Sequence, residues 1–87
     1  MIYRVIFRQS ALKDMKRIPA YSRKDVWRVV DELKGDPYPL GAKKIQGYEE
    51  LYRIRIGKYR IIYEVAKRIC IITVVMVGHR KDVYKNL

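Results

Sequence analysis

The chain has 87 residues, enough for one domain over 1–87 that buries a core without disulfide staples. Apolar residues make up 49% of it and are patterned, which excludes a disordered segment, and no apolar run approaches the roughly 20 residues of a membrane span. A net charge of +11 favours a polyanionic partner, and the single cysteine, Cys70, excludes an internal disulfide or a cysteine zinc cage.

The opening MIYRVIFRQ is too short and too charged for a signal peptide, so a cytoplasmic protein is expected. Ile2 to Phe7 alternates and is rich in β-branched and aromatic residues, which predicts a first strand. Ser10 offers an N-cap oxygen, and Ala11, Leu12, Met15 and Ile18 recur at helical spacing, so a short helix is predicted up to Arg17. Pro19 ends it. Ser22-Arg23-Lys24-Asp25 has the form of a capping box opening a second helix, with Val26, Trp27, Val30 and Leu33 as its buried stripe and Lys24 and Arg28 outside. Gly35 stands where a left-handed helix cap belongs, and Asp36 to Gly41 reads as a loop. Lys43 to Gln46 begins a strand that Gly47 to Glu50 interrupts.

Leu51 to Val65 predicts a hairpin about Gly57-Lys58, a two-residue loop with glycine first, as a type II′ turn requires. That loop sets Ile56 against Tyr59, Arg55 against Arg60, Ile54 against Ile61, Arg53 against Ile62 and Tyr52 against Tyr63. One face carries Tyr52, Ile54, Ile56, Tyr59, Ile61 and Tyr63, a core face. The other carries Leu51, Arg53, Arg55, Arg60, Ile62 and Glu64. A last strand is predicted from Ile69 to Val77, apolar on both faces and therefore central, and Gly78 breaks it. Cys70 is expected to pack in the core. His79 to Tyr84 forms a final helical turn in this reading. The expected fold is α+β in the order β-α-α-β-β-β: two N-terminal helices packed on a small, mostly antiparallel sheet.

Arg55 and Arg60 directly opposite each other cost the sheet a few tenths to about 1 kcal/mol, and a bound anion reverses that sign. A face of solvated guanidiniums is the plainer reading of the same pattern. Antiparallel return of the last strand brings His79 and Arg80 to the end of the sheet that holds Arg55 and Arg60, with Tyr84 one helical turn beyond Arg80. Arg53, Arg55, Arg60, His79, Arg80 and Tyr84 thus form a candidate site. Guanidiniums grip phosphate in bidentate fashion and an aromatic ring stacks on an exposed base, so the set suits RNA. Arg53, Arg55, Lys58 and Lys81 are the expected RNA contacts. No metal-ligand spacing, glycine-rich phosphate loop or Ser/His/Asp arrangement is present, and no cofactor is expected.

The first strand with Ser10-Ala11-Leu12-Lys13, the strands Leu51-Tyr52-Arg53-Ile54-Arg55-Ile56 and Tyr59-Arg60-Ile61-Ile62-Tyr63-Glu64-Val65, and the ending Val77-Gly78-His79-Arg80-Lys81-Asp82-Val83-Tyr84 resemble the RelE-type toxins of bacterial and archaeal toxin–antitoxin pairs. The resemblance spans essentially the whole chain. It implies a metal-independent endoribonuclease that enters the ribosomal A site beside 16S rRNA and cuts messenger RNA there, inhibiting translation. It also implies a RelB-like antitoxin as partner. By that resemblance Arg53 and Arg55 stand where two basic residues line the active site. Arg60 matches the arginine that stabilises the transition-state phosphate, Arg80 a second arginine near the leaving oxygen, and Tyr84 the tyrosine that orients the base. His79 occupies a commonly basic position. Arginine gives up its proton poorly, so His79 is the expected general base, with Glu49 or Glu50 as a weaker choice. The alternatives are a ParE-like toxin that inhibits DNA gyrase by binding it, and a non-catalytic RNA- or ribosome-binding domain.

Overall fold

The computed structural model describes residues 2–79. Its elements run β1 (Arg4–Phe7), α1 (Gln9–Arg17), α2 (Ala20–Gly35), β2 (Lys43–Lys44), β3 (Leu51–Ile56), β4 (Tyr59–Ala66) and β5 (Ile71–His79). The strands form one five-stranded sheet in the order β1-β5-β4-β3-β2. All neighbours are antiparallel except β1, which pairs parallel with β5. The expected order of elements holds, with β2 a two-residue addition at the edge.

Both helices lie on one face of the sheet. Their buried side chains, Ala11, Met15, Val26, Val30 and Leu33, meet Ile54, Ile61, Tyr63, Val65, Ile72, Val74 and Val77 in a single core. Val26, Val29, Val30 and Leu33 are the buried positions of α2, spaced as one helical stripe. Trp27 is not among them. It is 47% exposed and lays its ring over Phe7 at 5.2 Å, because Val29 has the better angle to the core.

Three predicted helix signals are overruled. Ser10 does not cap α1, which starts a residue earlier with Arg8 at the N-cap. Ser22 does not open α2. Pro19, with φ already at −55°, sits at the N-cap, and its carbonyl accepts from the Ser22 and Arg23 amides. Gly35 is the last helical residue, and the cap is Asp36 in extended conformation. Pro37 drives its predecessor into that region, and the Tyr38 amide donates to Asp36 Oδ1 to close the turn.

Beyond the hairpin, Cys70 belongs to the turn before β5. It is half-buried against the core, with φ at +54°, and its Sγ donates to the Lys67 carbonyl. Strand β5 accordingly starts at Ile71, two residues later than predicted, and it continues through Gly78 to His79.

Candidate functional site

The β3–β4 hairpin has the predicted register throughout, from Leu51 opposite Glu64 to Ile56 opposite Tyr59. Gly57 has φ of +57° while Lys58 stays at negative φ, the pattern of a type II′ turn. Ile54 and Ile61 face the helices and are buried. Burial of each such side chain contributes about 1.5–3 kcal/mol, which outweighs the few tenths to about 1 kcal/mol lost by setting Arg55 opposite Arg60. The fold can therefore hold two guanidiniums together on the outer face.

That outer face carries a row of cations at the hairpin end. Arg55 is exposed, Arg53 and Arg60 are half-buried, and Arg60 Nε is shielded from solvent. Arg60 lies opposite Gly78 of β5, a position with no side chain to crowd the guanidinium. Beside the row is a small apolar patch in which Ile62 and Val75 are buried against Ile45, Leu51 and Met76. Lys58, in the turn, is exposed at the same end of the sheet.

His79 reaches this end of the sheet, as expected, but turns to the other face. A register shift between Ile62 and Tyr63 leaves Val75 as an extra residue in β5: Tyr63 pairs with Val74, and Ile62 with Met76. Such a bulge reverses the alternation of the strand. Before it, Ile72 and Val74 face the helices; after it, Val77 does. His79, two residues on, shares the face of Val77, and its ring meets the Tyr59 ring edge-on at 6.1 Å. The structure thus brings Arg53, Arg55 and Arg60 together and sets His79 across the sheet from them. Arg80, Lys81 and Tyr84 lie outside the described residues.

Helix α1 secures the bulge. Strand β1 ends at Phe7, opposite Val74, so the remainder of that edge of β5 has no strand beside it. Two side chains of α1 take over. Ser10 Oγ donates to the Val75 carbonyl at 3.0 Å, and the Val77 amide donates to Asp14 Oδ2 at 3.0 Å. The sequence reading missed both roles, since neither is local: the partners lie more than 60 positions apart in the chain.

The reading also missed Lys43, which lies opposite Arg53 in the β2–β3 pair. A strand of two residues leaves little pattern to find. The usable signal was parity, because Ala42 packs on the helix-side core and Ile45 on the outer patch, which sends Lys43 outward. Glu49 and Glu50 are exposed in the loop before β3. Among the described residues no three His, Cys, Asp or Glu side chains come together as a metal site, and no helix is long and apolar enough to cross a membrane.

Comparison with known proteins follows the same fold. Residues 5–84 match the family model described as ParE toxin of type II toxin-antitoxin system, parDE. Toxin RelE3 of Methanocaldococcus jannaschii is 36% identical over 85 residues, covering 93% of this chain and 94% of that protein. In the RelB–RelE antitoxin–toxin complex from Methanococcus jannaschii, the matching chain is 34% identical with a TM-score of 0.74, covering 94% of this chain and 98% of that one. In the archaeal RelE–RelB complex from Pyrococcus horikoshii OT3, the figures are 28% and 0.82, with 92% and 97% covered.

Proposed function

This chain belongs to the RelE/ParE family of type II toxin–antitoxin toxins, and from that premise we propose that it is a ribosome-dependent endoribonuclease acting on messenger RNA in the A site. The observation that carries the reading is the Arg53, Arg55 and Arg60 row, held on one face of the β3–β4 hairpin.

In the proposed reaction the 2′-hydroxyl oxygen attacks its own adjacent phosphorus while the bond from phosphorus to the 5′-oxygen breaks. The 2′-oxygen loses its proton to a base and the leaving 5′-oxygen takes one up, giving a 2′,3′-cyclic phosphate and a 5′-hydroxyl. Negative charge builds on the phosphoryl oxygens, and preorganised cations aimed at it are the largest available catalytic contribution. Arg60 and Arg55 act as the phosphate clamp, with Arg53 beside them. Arg80 and Tyr84 are assigned to the leaving oxygen and the base. His79 is assigned as proton acceptor, which requires the RNA to fold over the end of the sheet, past Gly78. A RelB-like antitoxin is the proposed protein partner, since the similar archaeal toxins occur in complex with RelB.

The test is a cleavage map on one messenger RNA, naked and in a translating ribosome mixture, read by primer extension. Cuts are expected only with ribosomes, reduced at least 100-fold in Arg60→Ala, in keeping with the loss of one transition-state donor. His79→Ala separates the base from the clamp: with His79 as acceptor, the single-turnover rate falls log-linearly toward acid in the parent and not in the variant. Full activity with an unchanged profile removes His79 from that role. The second reading, a gyrase inhibitor, is favoured by the ParE description of the matching family model. Growth inhibition with no cuts in either setting, together with inhibited supercoiling by purified gyrase, would establish it instead.

A further inference from the structure

We propose that Lys43 carries the phosphate path of the arginine row onto β2, so that an RNA strand crosses the sheet obliquely, from Arg60 over Arg55 and Arg53 to Lys43. The inference rests on the RNA-cleaving reading and assigns a residue and a direction to it.

Three observations support it. Lys43 lies directly opposite Arg53, on the arginine face. Its neighbour Lys44 lies opposite Tyr52, which packs on the helix-side core. Two adjacent lysines of equal charge and comparable exposure thus address opposite faces of the sheet. Second, Lys43 against Arg53 is the second like-charged cross-strand pair on this face, after Arg55 against Arg60. Each pair costs stability unless an anion lies between its members. Third, the row is continuous. Arg60 of β4 lies opposite Arg55, Arg53 stands two residues along β3 from Arg55, and Lys43 of β2 lies opposite Arg53, so the row steps obliquely, about 10 Å across the strands and about 7 Å along them, a course that a chain of phosphates can follow.

A lysine on an edge strand also serves to discourage pairing with other chains. That role makes no distinction between Lys43 and Lys44, and neither does a general contribution to the net charge. The two readings therefore separate in one measurement.

The probe is a fluorescein-labelled single-stranded RNA carrying 2′-O-methyl groups throughout, which the protein cannot cleave. Its affinity for the full chain is measured by anisotropy over a salt series. Each single-strand phosphate neutralised contributes about 0.7 to the slope of log affinity against log salt. Lys43→Gln is expected to lower the slope by about that amount, Lys44→Gln to leave it unchanged, and Lys43→Arg to keep the parent value. Equal losses in Lys43→Gln and Lys44→Gln, or none in either, overturn the proposal while the parent slope still supports RNA binding. A parent affinity with no salt dependence overturns the RNA-cleaving reading and the path together. Weakened binding of a poly-glutamate peptide by Lys43→Gln, with the RNA slope intact, overturns the path and gives the row to an acidic polypeptide.

Discussion

Tyr63 shows how one side chain ties the loop to the sheet. It is fully buried on β4, and its hydroxyl donates to the Pro37 carbonyl at 2.7 Å. Its ring lies near-parallel to that of Tyr52 at 5.9 Å, and Tyr52 in turn meets Tyr38 at 4.9 Å. Burial is the main cause that holds the Tyr63 hydroxyl well above its ordinary pKa, with the neighbouring Tyr52, Asp36 and Tyr38 adding to it. The sign follows from the raised value. The unfolded chain gives up this proton near pH 10 and the folded protein only at higher pH, so stability is fully present below about pH 10 and declines as pH rises above it. Tyr63→Phe is expected to lose about 1 kcal/mol at neutral pH through the hydrogen bond. It should also flatten the alkaline decline, as urea unfolding at pH 7 and at pH 10.5 will show. An equally steep decline in the variant would place its origin in other groups.

At the scale of elements, the contact between α1 and β5 decides which way the site residues point. Were Val75 paired as an ordinary strand residue, without the bulge, the alternation of Ile72 and Val74 would continue inward through Met76 and Gly78. Val77 and His79 would then turn outward, and His79 would share the face of the arginines. Ser10 and Asp14 hold the arrangement by hydrogen-bonding both sides of the bulge. Asp14→Ala removes an acceptor and leaves the Val77 amide of a half-covered edge without it, a loss of about 1.5–3 kcal/mol for a bond to a charged group. Asp14→Asn keeps an acceptor oxygen and should cost clearly less. Amide exchange at Val77 is expected to accelerate in the alanine variant more than exchange at Val74. Uniform acceleration along β5 would mean that Asp14 stabilises the whole strand and not its end.

The hairpin was legible because its register depends on two adjacent residues and on a period-two pattern that nothing interrupts. The face taken by His79 was not legible, because a bulge is one residue that matches its neighbours in character: Val74, Val75 and Val77 are all valines. The helix starts were misread at Ser10 and Ser22 because each serine sits inside the first turn of a helix that begins before it. A proline carbonyl displaced one, and the edge of a distant strand recruited the other.

At the scale of the molecule, the proposed function gives the basic row two kinds of partner, an RNA and an antitoxin, and the net charge of +11 acts on both. Long-range attraction raises the rate of encounter with any acidic partner, by about 10-fold to 1000-fold, and does less to the rate of separation. It is screened once the Debye length, about 10 Å at 0.1 M salt, falls below the size of the domain. Contacts with the exposed apolar side chains Leu12, Tyr21 and Trp27 on the helices are not screened in this way. An antitoxin that wraps the toxin would use both. Its association rate, followed by stopped-flow fluorescence, is therefore expected to fall at least about tenfold between 50 mM and 500 mM salt, with a much smaller change in the dissociation rate. If both rates were insensitive to salt, encounter would be governed by the apolar helix surface alone. The cationic face would then be left to RNA, and antitoxin and RNA should bind the toxin together without competition.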